Sequence, residues 1–114
     1  IHGINQTLAE AVTLAEAAGI APPAAFDVIE SSAAAAPMIS YRRPLYLDEA
    51  AHDVTFTVAL AKKDMTVTAA LAEALGTPMP QGRVTLAQLE AAERAGYGAR
   101  DMASILAFTK ERSG

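Results

Sequence analysis

The sequence has no cysteine and no tryptophan, and aromatic residues make up only 5% of its 114 positions. Without cysteine there is no disulfide scaffold, no thiol nucleophile and no thiolate-held metal, and the compartment fits a reducing cytoplasm. A β-sandwich packs with far more Val, Ile, Thr and aromatic residues than this chain offers. Charged residues are also sparse, at 19% against 52% hydrophobic, which argues against a disordered chain. The two histidines, His2 and His52, are too few to build an imidazole metal site. A net charge of −4 and a pI near 5.0 leave no positive footprint for a phosphate backbone, so no nucleic acid is expected as a partner. No run of 18 apolar residues occurs, so no membrane span is expected, and nothing at the start reads as a secretory signal.

What is present is alanine, about a quarter of the chain, and a mean hydropathy of +0.21, high for an 11.8 kDa domain. The length suits one domain and not two. A chain this small and this apolar is expected to hide surface, either by oligomerising or by packing on another domain. Its start at Ile1, without methionine, suggests a piece of a longer protein.

Periodicity and punctuation predict an all-α domain of five or six helices. Ile1, Ile4, Leu8, Val12 and Ala15 recur every three or four residues as one helix face, with Asn5, Thr13 and Glu16 off it. Gly19 and Pro22 should end this helix. Pro22-Pro23 open a second, with Phe26 and Ile29 toward the core. The run from Ser31 to Pro37 reads as either a loop or a thin, close-packing helix. Arg42-Arg43-Pro44 interrupts the apolar residues that follow. Val54, Phe56, Val58 and Leu60 alternate like a strand, but a strand needs partners. The segment from Asp53 to Leu75 is therefore expected to be one helix of roughly 20 residues, about 30 Å long. Gly76 ends it, and Thr77-Pro78-Met79-Pro80 is a rigid connector. A further helix spans about Val84 to Ala95, and Asp101 is placed to cap the last, from Met102 to about Arg112.

Several residue groups could carry chemistry. Glu49-x-x-His52 has the spacing of a di-metal carboxylate bundle, but those sites need two copies, and a solvated helix start is the simpler reading. Ser31 and Ser32 lack the surrounding turn and base that activate a nucleophile. Arg42-Arg43 is either a solvated pair or an anion site. Lys62-Lys63-Asp64 is the most informative group. Phe56 lies seven residues before Lys63, close to two turns, so on one continuous helix both would project from the same face. A lysine there either snorkels or serves a ligand.

In the order and spacing of these elements the chain resembles the C-terminal helical domain of the β-hydroxyacid dehydrogenases, the 3-hydroxyisobutyrate dehydrogenase-like family. Leu8-Ala9-Glu10-Ala11-Val12-Thr13-Leu14-Ala15-Glu16-Ala17-Ala18-Gly19-Ile20 is similar to a run in that family's interdomain helix. Arg43-Pro44 falls where members carry a proline before the next loop. Phe56 with Lys63-Asp64 matches the signature F-x6-K-D, and Gly76-Thr77-Pro78-Met79-Pro80 resembles the G-x-x-x-P connector. Gly96-Tyr97-Gly98, Asp101 and Ser104 resemble the closing G-x-G-x-x-D-x-S stretch.

The resemblance implies a role beside an N-terminal Rossmann domain that binds NAD or NADP. Hydride would pass between the nicotinamide and a small β-hydroxyacid or semialdehyde. It implies that Phe56, Lys63 and Asp64 line the cleft as cofactor-binding residues, that Ser31 and Ser32 lie at the substrate, and that the domain supports a homodimer or homotetramer. The dinucleotide loop G-x-G-x-x-G is not in the chain, and the family's catalytic lysine would fall a few residues before Ile1. No catalytic residue is therefore expected within 1–114, and the chain should not turn over alone. Where relatives carry a Gly/Ser-rich loop, this chain reads Ser31-Ser32-Ala33-Ala34-Ala35-Ala36, which keeps an imine reductase open as the parent. A non-catalytic helical self-association module explains the apolar excess equally well but leaves Phe56 and Lys63-Asp64 without a purpose.

Overall fold

The computed structural model describes residues 1–112, and among these six α-helices account for the fold. They are α1 (His2–Ala17), α2 (Pro22–Glu30), α3 (Pro37–Leu47), α4 (Val58–Ala74), α5 (Pro80–Ala92) and α6 (Ile105–Arg112). Short 3₁₀ turns at Glu49–Ala51 and Met102–Ser104 follow α3 and precede α6. The ends follow local chemistry. Gly19 and Gly76 terminate α1 and α4 with φ of +88° and +65°, the left-handed conformation that a side chain resists. Proline opens α2, α3 and α5, where its missing N–H has no helical partner to lose. After Ala92 the chain widens into a looser turn, Glu93–Tyr97, that Gly96 closes at φ +94°.

α1 packs along α6, and α4 along α5, and the core runs between these pairs. Leu8, Val12, Phe26, Ile39, Val58, Leu89, Met102 and Ile105 fill it. Phe26 and Tyr46 meet with ring centroids 5.6 Å apart, and Tyr97 meets Phe108 edge-on at 5.3 Å.

Three local expectations are corrected. α1 is rotated from its apolar pattern. It buries His2, Asn5 and Gln6 with Leu8, Ala9 and Val12, while Ile1 and Ile4 are exposed. The inversion is tolerated because Asn5 is bonded on both sides of its amide, donating to the Met102 carbonyl at 3.0 Å and accepting from the Tyr46 hydroxyl. Burial pushes the Tyr46 phenol up to about 12, so it keeps the proton it donates. Next, the long helix over 53–75 starts only at Val58. Residues 53 and 54 are irregular, 55 and 56 form a bend, and Thr57 forms an isolated antiparallel bridge with Asp101. The strand-like alternation there yields a single bridge residue, Thr57, paired with a loop residue, and no strand among the described residues. Finally, α3 runs through Arg42-Arg43-Pro44, and α5 begins at Pro80, inside the expected connector.

The segment 31–36 is a turn, resolving the loop-or-helix alternative. No helix among the described residues is long and apolar enough to cross a membrane.

The tie between these parts is ionic and buried. Arg42 on α3 donates to Asp101, and each side chain is nearly inaccessible. Asp101 also accepts from the N–H groups of Ala103, Thr55 and Phe56, at 2.9, 2.9 and 3.3 Å. One carboxylate thus caps the turn before α6, as its position suggested, and holds the bend before α4. Burial pushes its pKa up, but the hydrogen bonds from Ala103, Thr55 and Arg42, with the Arg42 charge, outweigh this and hold it below the usual carboxylate range.

Two outcomes follow from that balance. Asp101→Asn leaves Arg42 buried without its counter-charge and should lower stability at neutral pH by about 3–5 kcal/mol in urea titration. A depressed carboxylate stabilises the fold above its unfolded pKa, about 3.9. Stability of the unsubstituted chain should therefore decline as pH falls below about 4, toward the folded pKa. That component should be missing from the acid titration of Asp101→Asn.

Candidate functional site

Phe56, Lys63 and Asp64, three of the residues expected to line a cleft, lie at the start of α4 and just before it. Thr57 starts the helix, its hydroxyl accepting from the Leu60 N–H at 3.0 Å. Phe56 stands just before this cap. Its N–H is held by Asp101, and its carbonyl accepts from the Met102 N–H at 2.7 Å. The two-turn argument for Phe56 and Lys63 therefore does not apply, because Phe56 is not on the helix. A different residue gathers the group. The His2 ring lies 5.7 Å from the Phe56 ring, tilted by 35°, and His2 Nε2 is 3.1 Å from Asp64 Oδ2.

His2 is buried, Phe56 half-buried, and Asp64 exposed, with half of its side chain open to solvent. Lys63 is exposed beside Asp64 and has no hydrogen-bond or ion-pair partner among the described residues. Its neighbour Lys62 differs, pairing with Glu93 at 2.6 Å. The surface thus offers an uncommitted ammonium, an anchored carboxylate and the edge of a fixed aromatic ring. That set suits a polar, planar ligand carrying both acceptor and donor groups.

The other candidate groups have structural partners. Ser31 donates to the Asp27 carbonyl and Ser32 to the Ile29 carbonyl, each at 2.7 Å, so both hydroxyls close the end of α2. They are exposed, and no contact joins them to the His2 cluster. Arg42 is the buried partner of Asp101, and Arg43 is held by Asp27 and Glu30 at 2.8 and 2.7 Å. Glu49 makes a two-point contact with Arg100 and leaves His52 exposed and apart. No group of three or more metal-ligating side chains occurs among the described residues.

His2 and Asn5 were missed in sequence because both fall off the apolar period of α1. The signal available was polar residues in an amphipathic helix whose apolar stripe includes surface positions. An apolar groove of about 400 Å³ lies on the other flank of α1, between Ile4, Leu8, Ile29 and Ile39.

Comparison with known proteins places these residues in a family context. The sequence-family model described as the NAD-binding domain of NADP-dependent 3-hydroxyisobutyrate dehydrogenase matches residues 3–109. The crystal structure of 3-hydroxyisobutyrate dehydrogenase from Salmonella typhimurium is similar to this chain, at 29% identity and a TM-score of 0.84. That match covers 94% of this chain and 38% of the Salmonella chain, so the domain spans well under half of that relative. No curated protein sequence matches.

The cap that starts α4 is open to a direct test. Thr57→Ala should cost about 1 kcal/mol in urea titration, the usual value of a lost N-cap. Thr57→Ser, which keeps the acceptor, should recover most of it.

Proposed function

The chain belongs to the family of NAD-binding domains of 3-hydroxyisobutyrate dehydrogenases, and we propose that it is the helical half of an NAD(P)-dependent oxidoreductase acting on a small β-hydroxyacid or semialdehyde. The bound cofactor would supply hydride transfer to or from the substrate carbon. The chain's own part is to bind and orient. Lys63 offers a positive group to the cofactor, Asp64 accepts from its donors, and Phe56 presents a ring edge that keeps water from one side. The observation that carries this reading is the convergence of Phe56 and Asp64 on His2, near an ammonium with no ion-pair partner among the described residues. A structural lysine on this helix would be expected to pair, as Lys62 does.

The pyrophosphate grip and the catalytic lysine would come from a dinucleotide-binding domain, the partner required by a domain that matches only 38% of its relative. Ser31 and Ser32 are the proposed substrate contacts. Their hydroxyl hydrogens already serve α2 carbonyls, so gripping a substrate carboxylate would require the hydroxyls to rotate away. Self-association as a homodimer or homotetramer is supported by the exposed apolar side chains of α1 and α4, among them Leu14, Val67 and Leu71, and of Leu75 just after α4.

The test uses the full-length protein. Lys63→Ala and Asp64→Ala should each weaken NADPH or NADH binding about tenfold by fluorescence titration, at unchanged melting temperature. Unchanged affinity in both would remove the cofactor assignment and favour a domain that only associates. Ser31→Ala with Ser32→Ala should raise KM for the hydroxyacid and leave cofactor affinity unchanged.

A further inference from the structure

The histidine at the centre of the cluster has no part in the resemblance and no part in the core. We infer that His2 is a positioning residue, fixing the Asp64 carboxylate and the Phe56 ring for the cofactor; this rests on the reading that those residues meet it. Asp64 is the looser of the two. Its side chain is half open to solvent, and among the described residues the bond from His2 is the one side-chain contact to its carboxylate. Without it the carboxylate would sample its rotamers freely. Phe56 is held at its backbone by Asp101 and Met102, but those bonds leave the ring direction unset. The His2 ring supplies the wall against which it rests.

The tautomer follows from the partner. An ionised carboxylate only accepts, so Nε2 carries the hydrogen of this bond. Nδ1 is buried and has no partner among the described residues. A side chain retained only to fill this space would be better apolar, because leucine or phenylalanine would leave no unpaired nitrogen. The bond to Asp64 is what distinguishes histidine from those alternatives. His2 is itself placed by the helix it begins. Three residues on, Asn5 holds the Met102 carbonyl, and the Met102 N–H holds Phe56. The docking of α1 therefore carries the imidazole to both of its partners.

Two substitutions in the full-length protein separate the donor from the ring. His2→Phe keeps a ring against Phe56 and loses the donor; His2→Gln keeps an N–H near the Nε2 position. By NADPH and NADH fluorescence titration, His2→Phe should weaken binding about tenfold, as far as Asp64→Ala does, and His2→Gln should stay within about threefold of the unsubstituted protein. His2→Phe combined with Asp64→Ala should be no weaker than Asp64→Ala alone, since both act through one carboxylate. Wild-type affinity in His2→Phe, or additive losses in the double variant, would overturn the role of His2 while Asp64→Ala still upholds the cofactor reading. If Asp64→Ala and Lys63→Ala also bind normally, the cofactor reading itself fails. Should His2→Phe not fold, the imidazole ¹⁵N signals of the unsubstituted protein decide. A protonated Nε2 with a ring signal that shifts on adding NADPH supports the role, and an Nδ1–H tautomer or an unresponsive ring overturns it.

Discussion

The buried ion pair between Arg42 and Asp101 is the constraint on which the rest of this domain depends. Asp101 is fully enclosed, and an enclosed carboxylate is tolerated only when its lone pairs are filled. Arg42 from α3, the N–H groups before α4 and the N–H before α6 fill them. Three parts of the chain far apart in sequence are thereby drawn to one point. An apolar contact would have allowed them to slide, whereas hydrogen bonds of fixed direction do not.

That point also sets the candidate site. Asp101 and Met102 grip the backbone of Phe56, and Thr57 immediately after it starts the helix bearing Lys63 and Asp64. The Met102 carbonyl, on the other side of that residue from its N–H, accepts from Asn5 of α1, and α1 brings His2 against Phe56 and Asp64. Site and core are parts of one hydrogen-bond system. The residues of the candidate site need no rigidity of their own, because buried neighbours supply it. Lys63, exposed and without a hydrogen-bond or ion-pair partner among the described residues, is the exception.

The apolar surface has a physical explanation in the same terms. α1 turns a polar edge inward, where Asn5 can be satisfied, and this leaves Ile1 and Ile4 outside. Together with the outer face of α4, these residues account for a hydropathy that the domain's own core does not use.

Composition and punctuation were enough to determine an all-helical chain, its breaks at Gly19 and Gly76, the cap at Asp101 and the nearness of Lys63 to Asp64, because each is decided within a few residues. Family membership was legible for the same reason, in short motifs at fixed spacing. The burial of Arg42, the rotation of α1, the bend at Phe56 and the meeting of His2 with Asp64 were decided only by the tertiary structure. Each depends on a polar group finding a partner more than ten residues away. Local periodicity registers whether a side chain is polar, but not whether a distant donor or acceptor makes its burial favourable.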